Sequence, residues 1–97
     1  MGVLPDVVIY TTPYCGYCHI AKHLLTRQGI AYREIDASAP ALRRWLVEAS
    51  GQRTVPQIFI NGRSVGGYDE LSAHLRKGTL ASILANPPAE GAGSLPA

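Results

Sequence analysis

Two cysteines in one short stretch of the chain are the residues best suited to chemistry. Cys15 and Cys18 are separated by two residues, and the sequence holds no other cysteine. A thiolate is the nucleophilic form of cysteine, and two thiols one helical turn apart can close a disulfide. The spacing is compatible with thiol–disulfide exchange, with half of a zinc site, or with a structural disulfide.

The residues around the pair predict where it lies in a fold. The apolar, β-branched run 7–10 is typical of a buried strand, and the segment after Cys18 carries apolar residues at helical spacing. Cys15 would then lie where a strand ends and a helix begins. The free N–H groups and the dipole of a helix N-terminus favour an anion, so this position favours a thiolate.

The two other interpretations are less well supported by the sequence. A structural zinc site usually has four ligands, and there is no second cysteine pair; His19, which follows Cys18 directly, would point away from Cys15. A structural disulfide is typical of small secreted proteins, but residues 1–6 lack the basic and apolar parts of a signal peptide. We therefore favour redox chemistry, with the alternatives open.

Length and composition limit the possible classes of protein. The 97 residues, 46% hydrophobic and 16% charged, indicate one globular domain. The net charge is only +2 and the basic residues are scattered, so we expect no nucleic-acid partner. No run approaches the roughly 20 apolar residues that span a membrane, so we expect no membrane partner and a cytoplasmic protein.

The rest of the chain predicts the elements that position the cysteines. We expect strands over 7–10, 30–36, 57–60 and 63–65, with Asn61-Gly62 as a hairpin turn, and helices that end at Gly29, run from Ser38 to Gly51, and begin near Tyr68 and Thr79. This order describes an α/β protein with a mixed four-stranded sheet flanked by helices, with two parallel and two antiparallel pairings. Trp45 is predicted to be a core anchor.

The last eleven residues differ in composition from the rest of the chain. Residues 87–97 are rich in proline, glycine and alanine and contain one leucine. Such a segment has little apolar surface to bury against its conformational entropy. We therefore predict a folded domain over residues 1–86 and a disordered C-terminal tail over residues 87–97.

Three motifs at characteristic separations make the chain similar to the glutaredoxin family. They are Thr-Pro-Tyr-Cys-Gly-Tyr-Cys at 12–18, Thr-Val-Pro at 54–56, and Gly-Gly-Tyr-Asp at 66–69. The chain resembles most the small bacterial dithiol type, often called glutaredoxin 3. The resemblance implies a thioredoxin fold over roughly residues 6–86.

The resemblance also implies roles for individual residues. Cys15 would be the nucleophile and Cys18 the resolving thiol, and the Val55–Pro56 bond would be cis. Glutathione would pair with the Val55 backbone as an added strand. Its γ-glutamyl end would meet the helix start at 67–69, where the Asp69 carboxylate suits an ammonium group. The implied glutathione-binding residues are Thr12, Tyr17, Arg53, Thr54, Val55, Pro56, Gly67, Tyr68 and Asp69; Thr12 stands where the family usually carries a lysine.

The predicted function follows from this resemblance. We expect a cytoplasmic, monomeric glutathione-dependent oxidoreductase that reduces protein disulfides and protein–glutathione mixed disulfides and is recycled by the glutathione reductase system. One alternative is a dimer that binds a [2Fe–2S] cluster through Cys15 and glutathione, because Gly16 stands where proline is commoner. A second alternative is a thioredoxin-like binding module without turnover.

Overall fold

A computed structural model describes residues 4–97 and places a four-stranded sheet between helices. In chain order the elements are β1 (Val7–Thr11), α1 (Gly16–Arg27), β2 (Arg33–Asp36), α2 (Pro40–Ser50), β3 (Gln57–Ile60), β4 (Arg63–Gly66), α3 (Tyr68–Lys77), α4 (Leu80–Ala85) and a 3-10 turn at Ala92–Ser94. The predicted α/β class with a mixed four-stranded sheet is confirmed.

The strands of the sheet are arranged in the order β2-β1-β3-β4. β1 and β2 are parallel because a helix connects them, whereas β3 is antiparallel to both β1 and β4. The prediction of two parallel pairings is wrong, since an open sheet of four strands has three pairings and only one of them is parallel here. The end of β1 therefore lies beside the start of β3.

The alternation of side chains along β1 and β3 divides the core between the two faces of the sheet. One face packs against α1, α3 and α4 through the cluster Val7, Ile9, Ala21, Leu25, Ile58, Ile60, Leu71 and Leu80. The other face packs against α2 through Val8, Tyr10, Ala37, Leu42, Leu46 and Phe59. Both faces of the central strands are thus buried, which holds their ends in fixed positions.

Trp45 lies in the second of these clusters, as predicted. Its ring stacks on Phe59 at a centroid distance of 5.6 Å and meets Tyr10 at the same distance. Aromatic pairs at this separation add to the stabilisation that burial gives. Trp45 is therefore part of the packing between α2 and the sheet.

Two element boundaries differ from the sequence prediction for local reasons. β2 begins at Arg33 instead of residue 30, because Ile30 and Tyr32 pack against the α1 face before the ladder begins. The N-cap of α2 is Ala39 instead of Ser38, because the Ser38 amide and hydroxyl both donate to the Asp36 carboxylate. Ser38 thus forms an Asx-type turn rather than a cap.

The turn between β3 and β4 has the predicted hairpin geometry. Asn61 and Gly62 have φ values of 53° and 84°, as a two-residue turn with positive φ at both positions requires. A Cβ on Gly62 would lie 2.7 Å from the Cβ of Ala92. Glycine at this position therefore serves both the turn and the close approach of residue 92.

Residues 87–97, the segment predicted to be a disordered tail, contact the folded domain at two places. The Tyr10 hydroxyl donates to the Pro96 carbonyl at 2.7 Å, and Leu95 packs against the α2-side cluster. At the other end of the tail, the Ala89 amide donates to the Asn61 carbonyl at 2.8 Å. Composition does not predict these contacts, because they are made by backbone groups and by a single leucine.

Candidate active site

The two cysteines lie at the start of α1, where β1 ends. Cys15 is the N-cap residue, and its Sγ accepts a hydrogen bond from the Cys18 backbone N–H at 3.1 Å. The two Cα atoms are 5.2 Å apart and the sulfurs are at disulfide distance. A sulfur at an N-cap meets the free N–H groups of the helix, so a thiolate at Cys15 is stabilised there.

The exposure of the two cysteines differs. Cys15 is half-buried, whereas Cys18 is only 2% exposed. An incoming disulfide can therefore reach Cys15 more easily than Cys18. Cys18, which lies behind Cys15, is positioned to attack a disulfide that forms on it. Tyr14 precedes Cys15 with a positive φ of 63°, and this turn carries the chain from β1 into the helix.

A groove of about 340 Å³ lies on the β3 side of the pair. The Cys15 Sγ is 3.6 Å from the Val55 carbonyl oxygen, so the loop before β3 forms the near wall. The Val55–Pro56 bond is cis, which confirms that expectation. The groove is lined by Tyr17, Gln52, Thr54, Val55, Pro56, Gly67, Tyr68, Asp69 and Glu70.

The far wall of the groove is the start of α3. Gly67 is the N-cap, and Asp69 is exposed in the first turn, beside the free N–H groups of the helix. A Cβ on Gly67 would lie 3.3 Å from the Pro56 carbonyl, so the lack of a side chain lets the two walls approach. The rings of Tyr17 and Tyr68 are 6.2 Å apart across the groove.

Seven of the nine residues expected to bind glutathione line this one groove; Thr12 and Arg53 do not. Thr12 lines a separate cavity on the β2 side of the pair. Arg53 is exposed, and its carbonyl accepts a hydrogen bond from the Arg43 guanidinium at 3.0 Å. The roles of all nine residues stay predictions.

Gln52 and Glu70 line the groove but were not identified from the sequence. Glu70 lies three residues after the N-cap Gly67, and its carboxylate accepts the Gly67 N–H at 2.7 Å. That spacing is the capping-box spacing, which a search for acidic residues after the glycine pair could have found. No comparable sequence signal marks Gln52.

On the β2 side of the pair, the cavity that Thr12 lines contains charged side chains that bind one another. Glu34 accepts hydrogen bonds from the Thr11 hydroxyl at 2.8 Å and from the Lys22 ammonium at 3.0 Å. These two hydrogen bonds, that of Thr11 first, lower the pKa of Glu34 below its ordinary value. The ion pair therefore connects α1 to β2 close to the cysteines.

The described residues hold neither a metal-binding cluster nor a membrane-spanning helix. Within residues 4–97, no group of three or more His, Cys, Asp and Glu side chains is arranged to hold a metal ion. In the same range, no helix has the length and apolar character needed to cross a membrane.

The fold and the cysteine pair at the start of α1 define the class of protein. A mixed four-stranded sheet with a Cys-x-x-Cys pair at the strand-to-helix turn is the arrangement of thioredoxin-fold redox proteins. The family model described as glutaredoxin matches residues 7–65. The chain belongs to the glutaredoxin family, and it is a thiol–disulfide oxidoreductase, as members of that family are.

Two curated relatives match nearly their whole length. A glutaredoxin of Pseudomonas aeruginosa is 48% identical over 82 residues, which are 84% of this chain and 98% of the relative. Glutaredoxin 3 of Escherichia coli K12 is 43% identical over 83 residues, which are 84% of this chain and 99% of the relative. These matches confirm the resemblance to the small bacterial dithiol type.

Solved structures agree with this assignment. The solution structure of Brucella melitensis glutaredoxin is 50% identical with a TM-score of 0.78, over 87% of this chain and 92% of that one. A buckwheat glutaredoxin–glutathione complex is 31% identical with a TM-score of 0.76, over 95% and 83%. A structure described as metal binding of glutaredoxins is 50% identical with a TM-score of 0.68, over 86% and 91%. The predicted thioredoxin fold is thereby confirmed.

Proposed function

We propose that the protein uses glutathione to reduce protein–glutathione mixed disulfides and protein disulfides. The observation that carries this proposal is the continuity of the groove with the reactive sulfur. The groove begins at the Val55 carbonyl, 3.6 Å from the Cys15 Sγ, and extends to the first turn of α3. A peptide bound between these two walls would have its thiol beside Cys15, as glutathione requires.

In the first step, the Cys15 thiolate attacks the glutathione sulfur of a mixed disulfide. A Cys15–glutathione disulfide forms, the original disulfide breaks, and the protein thiolate leaves and takes up a proton. A second glutathione thiolate then attacks the bound glutathione sulfur. Oxidised glutathione leaves and Cys15 returns as a thiolate. One half of the oxidised glutathione comes from the substrate, so each turnover consumes one free glutathione.

Protein disulfides require the second cysteine. Cys15 attacks one sulfur of the substrate disulfide and releases the other as a thiolate. Cys18, whose Cα lies 5.2 Å from that of Cys15, then displaces the substrate and closes the Cys15–Cys18 disulfide. Two glutathione molecules reduce that disulfide, and an enzyme of the glutathione reductase class reduces the oxidised glutathione that is produced.

The groove offers glutathione four kinds of contact. The Val55 backbone would pair with the cysteinyl part as an added strand. The first turn of α3, next to Gly67 and Tyr68, would receive the γ-glutamyl carboxylate, since helix N-termini bind anions. The Gly67 N–H already donates to Glu70, so the N–H groups that follow it would bind the carboxylate. The Asp69 carboxylate, exposed in that turn, would pair with the ammonium group. Tyr17 would cover the peptide from the α1 side.

The setting of this activity follows from its reductant. We infer action in the cytoplasm, because the reaction consumes a pool of reduced glutathione. We infer action as a monomer, because one chain carries both thiols and both walls of the groove. Protein substrates would meet the exposed edge of Cys15.

The deciding experiment is a glutathione-coupled assay on a small mixed disulfide. Glutathione reductase and NADPH report the oxidised glutathione that forms. We expect turnover that depends on glutathione concentration and that disappears in Cys15→Ser. A protein that binds glutathione but does not turn over would instead be a binding module.

A [2Fe–2S] cluster shared by two chains is the second candidate, and two observations favour it. A Cβ on Gly16 would meet no atom within 4 Å apart from its chain neighbours and its own helix, so the surface at Gly16 is open. A relative that is 50% identical has been solved in work on metal binding of glutaredoxins. Such a cluster takes four thiolate ligands, and Cys15 is the only half-exposed thiol of this chain, so two chains and two glutathiones would have to complete it. Brown colour, bound iron and a doubled mass after anaerobic purification, all lost in Cys15→Ser, would support it.

A further inference from the structure

A chain of hydrogen bonds runs beneath the groove and connects its two walls. It begins at Gln57, which follows the cis proline and is fully buried. The Gln57 amide nitrogen donates to the Thr54 carbonyl at 3.0 Å and to the Gln52 side-chain oxygen at 2.8 Å. An amide nitrogen has two hydrogens, so both are used.

Gln52 carries the chain across to the other wall. Its amide nitrogen donates to the Glu70 carboxylate at 3.2 Å, and the same carboxylate oxygen accepts the Gly67 N–H at 2.7 Å. Gln52 is itself held by Ser50, whose hydroxyl accepts the Gln52 N–H and donates to the Gln52 carbonyl, each at 3.1 Å. The Gln52–Glu70 hydrogen bond therefore joins the loop before β3, where Ser50 orients Gln52, to the N-terminus of α3.

The glycines at the start of α3 make room for this bridge. A Cβ on Gly66 would lie 2.5 Å from the Glu70 carboxylate oxygen and 2.8 Å from its Cγ, so only glycine lets Glu70 fold back over the turn. Gly66 also has a φ of 115°, which side chains rarely adopt. The backbone there is shaped around the Glu70 carboxylate.

We propose that the Gln52–Glu70 hydrogen bond is a positioning contact that sets the separation of the two walls of the groove, and with it the affinity for glutathione. This inference rests on the proposed function and names residues that it does not use. A ligand that contacts Val55 on one wall and the start of α3 on the other needs both at fixed distance. Among the described residues, the Gln52–Glu70 contact is the only direct side-chain hydrogen bond between those walls.

A contact that fixes the separation between two walls of a binding site affects ligand binding more than it affects the rate of the chemical step. The sulfur exchange takes place at Cys15, which the bridge does not touch. Removal of Gln52 should therefore raise the KM for glutathione and leave kcat nearly unchanged. A reductant that makes no contact with the groove, such as dithiothreitol, should be unaffected.

The test compares Gln52→Ala with Gln28→Ala, which shortens an exposed glutamine at the far end of α1. We expect Gln52→Ala to raise the KM for glutathione about threefold to tenfold, with kcat within about twofold, as for the loss of one hydrogen bond. Reduction of the Cys15–glutathione adduct by dithiothreitol should proceed at the wild-type rate. Gln28→Ala should change neither reaction.

A charge exchange separates this role from a general loss of stability. Gln52→Glu places a second carboxylate against Glu70 and should raise the KM further than Gln52→Ala does. Adding Glu70→Gln restores a donor–acceptor pair across the groove and should return the KM most of the way to the wild-type value. The melting temperature of each variant is measured as a control, and we expect all of the variants to remain folded.

The outcomes distinguish this inference from the proposed function. A wild-type protein that does not use glutathione would overturn both. A wild-type protein that does, together with an unchanged KM in Gln52→Ala or no recovery in the double variant, would overturn the bridge alone. An equal loss with glutathione and dithiothreitol would also overturn it, because the effect would then lie at the cysteines.

Discussion

The two sides of the Cys15–Cys18 pair are built from different chemical groups. On the β3 side, the groove presents backbone groups, two tyrosines and the exposed carboxylate of Asp69. On the β2 side, the side chains of Thr11 and Lys22 both donate to the Glu34 carboxylate. The first side has groups free to bind a ligand, whereas the second connects α1 to the sheet.

This difference leads us to expect the ligand on the β3 side of the pair, although the cavity there is the smaller one. The larger of the two cavities, about 690 Å³, is the one on the β2 side. Its central acid, Glu34, already accepts two hydrogen bonds. We therefore expect changes on the β3 side to alter the use of glutathione, and changes on the β2 side to alter stability or thiol reactivity.

The largest effect should come from the pair that both sides share. Cys15→Ser should reduce all turnover to the background rate, because it removes the nucleophile. Cys18→Ser should keep the reduction of mixed disulfides, which needs one thiol and glutathione, and lose the dithiol reduction of proteins. The two variants are compared on a small mixed disulfide and on a protein disulfide. The reverse order of effects would exchange the roles of the two cysteines.

On the β3 side, Asp69→Ala should weaken the use of glutathione. A charged contact of this kind contributes on the order of 1 kcal/mol, so we expect about a fivefold or larger loss in kcat/KM for glutathione. Asp36→Ala, an exposed acid on the β2 side that binds Ser38, is the matched control. Equal losses in the two variants would contradict the comparison. Unchanged kinetics with a lower melting temperature in Asp69→Ala would limit Asp69 to stabilising the first turn of α3.

On the β2 side, Thr12→Lys should change reactivity without changing groove contacts. Thr12 lines the cavity next to Cys15 and lies three residues before it. A positive charge there should stabilise the thiolate, and we expect alkylation of Cys15 at about pH 6 to become about twofold to fivefold faster. The rate is measured against pH in the Cys18→Ser background, so that one thiol reports. A slower or unchanged rate would show that the lysine does not reach the sulfur.

The smallest effect should come from Glu34→Gln. Because the native pKa of Glu34 is lowered, the carboxylate stabilises the fold above the ordinary glutamate pKa, and this contribution disappears as the pH falls through the lowered native value. Glu34 is well exposed, so we expect less than about 1 kcal/mol at neutral pH. Chemical denaturation at several pH values measures it, with Glu48→Gln, exposed on α2, as control. A difference that persists in acid would rule out the ionised carboxylate as its source.

Much of the fold could be predicted from the sequence because the signals are local. The β-branched run before Cys15, the Asn61-Gly62 pair and the glycines after the helices each act within a few residues. The contacts of residues 87–97 could not be predicted, because their partners Tyr10 and Asn61 are remote in sequence. The N-cap of α2 could not be predicted either, because the Ser38 hydroxyl has an equally close acceptor in Asp36.

The candidate site shows the same division. The cysteines and the two glycine- and proline-containing motifs were identified because they are contiguous segments of the chain. Gln52 could not be predicted, because its role depends on a hydrogen bond to Glu70, which is 18 residues away. Thr12 and Arg53 were expected to bind glutathione from the family resemblance; neither lines the groove, and their roles stay predictions. Sequence motifs therefore predict which segments meet better than which side chains line a given cavity.

Trp45, which stacks on Phe59, can serve as an intrinsic fluorescence probe of the protein. Trp45 is the only tryptophan, and it lies with Tyr10 and Leu95 on the sheet face opposite α1. Its emission should therefore respond to the packing of α2 and of the last residues of the tail. A spectral change on reduction of the disulfide would be a direct signal that the redox state of one face is transmitted through the sheet to the other.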